Sequence, residues 1–68
     1  MGGTYKMIEI VGTSTKSFAD AAQSAVKDAA ATVRGMAWFE VVEQRGRIDE
    51  GKVVEFQVKV AVGFKIER

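Results

Sequence analysis

The 68-residue chain contains no cysteine, no histidine and no proline. Without cysteine there is no disulfide and no thiolate nucleophile. Without histidine there is no imidazole base, and the usual metal ligands are missing. Charge of one sign is also lacking: ten basic and nine acidic residues interleave to a net +1, which gives no argument for nucleic acid or an anionic membrane. No run approaches membrane-spanning length, and Met1–Lys6 carries no apolar leader segment. Lys6 stands where a myristoylation signal wants Ser or Thr. A soluble cytoplasmic protein of one domain, residues 1–68, is expected, with residues 1–4 frayed.

What is present is alternation. From Val53 to Ile66 the even positions are all apolar: Val54, Phe56, Val58, Val60, Val62, Phe64 and Ile66. The odd positions, among them Glu55, Gln57, Lys59, Ala61, Gly63 and Lys65, are mostly polar or small. This predicts a strand of roughly 45 Å at ~3.3 Å per residue. The helix expected ahead of it has about 17 residues and a reach of roughly 26 Å. Much of the strand's apolar face is then uncovered within one subunit. Ordering so short a chain costs about 100 kcal/mol. Burial of the apolar part of roughly 6,500 Å² returns about the same amount. With disulfides excluded and metal ligands lacking, oligomerisation is the remaining source of stability.

Tyr5–Val11 alternates and predicts a first strand, and Gly12–Lys16 a loop. Ser17 suits the N-cap of a helix and Asp20 its N3 position. Phe18, Ala22, Ala25, Ala29 and Val33 mark one helical face, Arg34 suits the last turn, and Gly35 suits C′. A second strand covers Ala37–Ile48. Asp49–Lys52 is a tight turn with Gly51 available for positive φ. The order is β-α-β-β, an α+β fold. Strands two and three form a hairpin, and the crossover makes strands one and two parallel. The predicted three-stranded antiparallel sheet therefore has the order 1-3-2, with one helix on one face. The other face, with Gln57, Lys59, Ala61 and Gly63, is the candidate functional surface.

Gly12–Ser17 invites a phosphate-loop reading, but the glycine required before Lys16 is missing. Trp38 and Phe39 are adjacent strand residues, so they point to opposite faces. Phe39 is expected under the helix. Trp38, taken alone, is more often packing than a ligand platform. A two-residue turn pairs Gln44 with Gln57 and Trp38 with Gly63, which puts Gln44, Gln57 and Trp38 on one face. A bulge at Gly46 would re-aim Arg45 and Arg47. Trp38 lies roughly 20 Å along the strand from the Gln44 level, so a site using both is shared between subunits. Arg45 and Arg47 are solvated edge charges on one reading and recognise phosphate or carbonyl on another. Glu9, Glu40, Glu43 and Glu55 form no paired acid and base.

Three segments, Ile8–Ser14, Trp38–Gly46 and Phe56–Lys65, together resemble the dodecins over almost the whole chain. The resemblance implies a hollow, spherical homododecamer that binds flavins without turning them over. It implies that Trp38 stacks on the isoalloxazine, that Gln57 hydrogen-bonds the ring edge, and that Arg45 lies near the flavin, as in bacterial-type members. Arg47 and Gln44 are further candidates for flavin contact, and Lys6 and Lys65 for coenzyme A. The function so implied is storage and buffering of FMN or riboflavin by a non-enzymatic protein. The alternative is a ligand-free structural oligomer or scaffold.

Overall fold

A computed structural model describes residues 3–66. The elements are β1 (Tyr5–Ser14), α1 (Phe18–Ala29), β2 (Met36–Asp49) and β3 (Lys52–Lys65). β3 lies between β1 and β2 and pairs antiparallel with both. The expected β-α-β-β fold and the sheet order 1-3-2 are therefore observed. The frayed start expected at residues 1–4 falls partly outside the described residues. Thr4 is tied down, its carbonyl accepting from the Ile66 N–H at 2.9 Å.

β1 runs three residues beyond its expected end, through Gly12, Thr13 and Ser14. The helix-facing position at Gly12 needs glycine. A Cβ there would collide with the Ala21 carbonyl and lie 2.8 Å from the Ala25 Cβ. α1 thus seats directly on the strand. Ser17 caps it, accepting from the Asp20 N–H at 2.9 Å. Ser14 Oγ donates to the Asp20 carboxylate at 2.7 Å, which joins the strand end to the first helical turn.

The helix is shorter than its sequence periodicity predicts. It has 12 residues and ends at Ala29, about 18 Å by its rise per residue. Ala31 and Thr32 donate to carbonyls three residues back, so the chain tightens and leaves the axis. It must then reach β2, on the far side of β3. Gly35 makes that turn with φ +75°, and its carbonyl accepts from Lys65 N–H at 3.1 Å. Gly35 takes the left-handed conformation expected of it, but at the entry to β2 rather than at the helix cap.

The core is small and lies between α1 and the centre of β3. Ala21, Ala22 and Ala25 meet Val58, Val60 and Val62, with Ile8, Ile10 and Met36 packed around them. The three valines are all but fully buried, worth about 1.5–3 kcal/mol each by side-chain transfer. The helix covers β1 and β3, and β2 lies beside its footprint. No residue of β2 is buried. Phe39 was expected under the helix. It is 49% exposed, at the side of α1. The molecule measures 54 × 20 × 13 Å, so the β2–β3 hairpin projects well past the helix.

The hairpin closes through Glu50 (φ 51°) and Gly51 (φ 78°), with Asp49 paired to Lys52. Two consecutive positive φ angles match the right-handed twist of the strands.

Candidate functional site

Register decides which side chains reach the face away from the helix. Trp38 pairs with Gly63, as the two-residue turn predicts. Between there and the turn, however, the ladder shifts twice, at Val41/Glu43 and at Arg47/Ile48. Each shift is a local irregularity that leaves a residue over. Between the two shifts the pairing moves by one, so Gln57 faces Arg45, and Gln44 faces Val58. Gly46 pairs regularly with Phe56, so the bulge expected there lies elsewhere. Gln44 is therefore not on the Gln57 face. It lines a groove between α1 and β2 with Phe18, Ala22, Gln23, Phe39 and Val41. A one-residue slip in pairing exchanges the two faces of a strand, and this accounts for the difference.

At one end of the open face sits an aromatic platform. The Trp38 indole lies across Gly63, where a Cβ would fall 2.5–2.6 Å from Cε2 and Cη2. Tyr5, from β1, packs against it with ring centroids 5.0 Å apart and planes inclined at 56°. Trp38 as a whole remains 44% exposed. Glycine beneath and tyrosine beside hold the ring, leaving much of it open to solvent.

Towards the turn lies a polar array. Arg45 Nε donates to Gln57 Oε1 at 2.6 Å, and Gln57 Nε2 donates to Glu55 Oε1 at 2.8 Å. Arg45 Nη1 reaches Glu43 at 3.3 Å. Arg47 lies 3.7 Å from Glu55. Lys59 extends the chain of charges to Glu43 (3.7 Å) and Glu9 (4.0 Å). These ion pairs are at the surface and contribute little to stability. Their effect is to hold Arg45 and Gln57 in one geometry. Among the described residues, no group of three or more acidic side chains could hold a metal ion.

Trp38 and Gln57 share the face, but Gly63 and Gln57 are six residues apart on β3, roughly 20 Å. Within one subunit they do not converge. Lys6 and Lys65 lie at the same end of the sheet on paired strands. Their immediate partners are Phe64 and Tyr5, so the two lysines project to opposite faces.

The whole chain compares closely with known proteins. The family model described as Dodecin matches residues 4–67. The chain belongs to the dodecin family. It is 48% identical over 67 residues to a dodecin of Thermus thermophilus, covering 98% of this chain and 97% of that one. It is 36% identical over 62 residues to a Mycobacterium tuberculosis protein named calcium dodecin, covering 91% and 87%. The solved dodecin of Streptomyces davaonensis superposes with a TM-score of 0.95 at 35% identity, covering all of both chains.

Tyr5, Glu43 and Glu55 were not among the site residues expected for a dodecin of this sequence. The two carboxylates carry a signal that strand periodicity supplies: Glu43 stands two residues from Arg45 on one strand. Glu55 and Gln57 are two apart on one strand and so share a face. Tyr5 is two residues from Met7, the partner of Gly63.

Proposed function

We propose that this dodecin binds flavins, FMN or riboflavin, between copies of itself and sequesters them without catalysis. The observation that carries the reading is the Trp38 indole, backed by Gly63 and Tyr5 and open to solvent. An open, rigid, electron-rich ring is a platform for a flat heteroaromatic ligand. The isoalloxazine edge offers alternating carbonyl and N–H groups, and an amide such as that of Gln57 can match a donor and an acceptor together. Arg45 and Arg47 supply charge beside it. Because the platform and the amide lie roughly 20 Å apart in one chain, a ligand touching both lies between subunits.

Self-assembly into a homododecamer supplies that second subunit. The bare β2 and the apolar groove beside α1 need cover, and another copy of the chain provides it. Stacking on indole quenches the flavin's excited state and so limits its photochemistry. Lys6 and Lys65 lie at one end of the sheet but on opposite faces, so a coenzyme A contacting both would also lie between subunits. No helix among the described residues is long and apolar enough to cross a membrane, and a cytoplasmic location fits the reading.

The test is a titration with riboflavin, FMN and FAD, followed by flavin fluorescence. Saturable quenching is expected. Assembled protein that leaves the fluorescence of all three unchanged would instead make the chain a ligand-free scaffold, which the uncovered β2 alone would also suit.

A further inference from the structure

A carboxamide can be turned end for end at little steric cost, so the order of its donor and acceptor is set by its neighbours. At Gln57 both neighbours are chemically one-sided. The Arg45 guanidinium only donates, and it meets Oε1 at 2.6 Å. The Glu55 carboxylate only accepts, and it meets Nε2 at 2.8 Å. A reversed amide would set N–H against N–H on one side and oxygen against carboxylate on the other. Arg45 is itself anchored by Glu43 at 3.3 Å. One lone pair on Oε1 and one hydrogen on Nε2 remain for a ligand. The acceptor lies towards β2 and the donor towards the hairpin turn.

We infer that Glu55 is a positioning residue for the ligand edge that Gln57 reads: by holding Nε2 it fixes the sense in which donor and acceptor are presented. The inference rests on the flavin reading above. Glu55 makes no contact with the ligand and acts through Gln57. The consequence is directional. A ring edge with adjacent carbonyl and N–H groups is accepted with its carbonyl towards the turn and its N–H towards β2, and the opposite order is refused.

Glu55→Gln tests this, because it keeps the shape but introduces an end that can donate as well as accept. Riboflavin is titrated into the assembled wild type, Glu55→Gln, Gln57→Leu and the double variant. Glu55→Gln should weaken binding about three- to tenfold, the equivalent of a modest hydrogen-bond loss. In the Gln57→Leu background it should cost nothing further. An equal loss in both backgrounds overturns the inference, since Glu55 would then act through its charge or the fold. Should Glu55→Gln fail to assemble, Glu55→Asp is read in the same two backgrounds. A second readout needs no ligand. In the flavin-free protein the two Gln57 amide hydrogens should have well-separated NMR shifts, with the Glu55-bonded one protected. Glu55→Gln should draw the shifts together, and an unchanged pair overturns the inference. Absence of riboflavin binding by the wild type would overturn the flavin reading separately, leaving the amide spectrum to decide what Glu55 does to Gln57.

Discussion

Trp38 rests on Gly63: the indole occupies the space that any side chain at position 63 would need. The cross-strand pairing of these two residues turns a small residue on one strand into the seat of an aromatic ring on its neighbour. The platform is thus a property of the pair, and it can be disturbed from either side.

Gly63→Ala should displace the indole, because the added methyl has the ring and not a flexible chain end to push against. A cost of about 1–3 kcal/mol in stability is expected from overpacking. The tryptophan emission maximum should shift, and flavin affinity should fall with it. Wild-type emission and affinity in the alanine variant would show that the ring does not depend on this seat.

Trp38→Ala removes the platform itself. Flavin binding should weaken by about 1–3 kcal/mol, by analogy with base stacking on aromatic side chains. The fluorescence of bound flavin should recover. Unchanged affinity and quenching would assign Trp38 to packing.

Gln57→Leu keeps the approximate volume but leaves the ligand's edge unpaired. It also releases Arg45 and Glu55, which retain Glu43 and Arg47 as partners. Roughly ten- to hundredfold weaker flavin binding is expected for a loss of about 1–3 kcal/mol in a dry site. The assembly should persist, since Gln57 lies on the face away from the core. Dissociation seen in sedimentation would make Gln57 an interface residue.

Gly12→Ala acts on the fold and not on the open face. The new methyl would meet the Ala21 carbonyl, which is backbone, and Ala25 Cβ. Neither can swing aside, so the helix must lift. Chemical denaturation should show a loss of about 1–3 kcal/mol. An unaltered midpoint would mean that the strand and helix are less closely seated than they appear.

Phe39→Asp addresses assembly. Phe39 is half exposed beside α1 in the monomer, so a charge there costs one chain little. If a second copy covers it, burial of an unpaired carboxylate should prevent association. Sedimentation of the wild type should reveal no folded 7.4 kDa species at micromolar concentration, whereas the variant should dissociate or unfold. Wild-type assembly in the variant would place the interface elsewhere.

Local chemistry determined a good deal of this protein. The alternation of Val53–Ile66 marked β3 within a residue at each end. Ser17 and Asp20 marked the helix start, and Gly51 the hairpin turn. The central place of β3 followed from its length and from the crossover. The pairing of Trp38 with Gly63 followed from the two-residue turn, since a turn propagates its register until something interrupts it. Tertiary structure decided the rest. The helical periodicity continued to Val33, yet α1 stops at Ala29, because the chain must leave the helix in time to cross to β2. No local propensity encodes that distance. Two register shifts in the β2–β3 ladder moved Gln44 to the helix side and brought Arg45 to Gln57. Such shifts depend on how a long, twisted hairpin accommodates its own coiling, which two strands settle jointly. Phe39 looked like core because it is apolar and on the inner face. It is left uncovered because a single helix, about 10 Å across, lies over two strands about 4.8 Å apart, here β1 and β3, and not over a third.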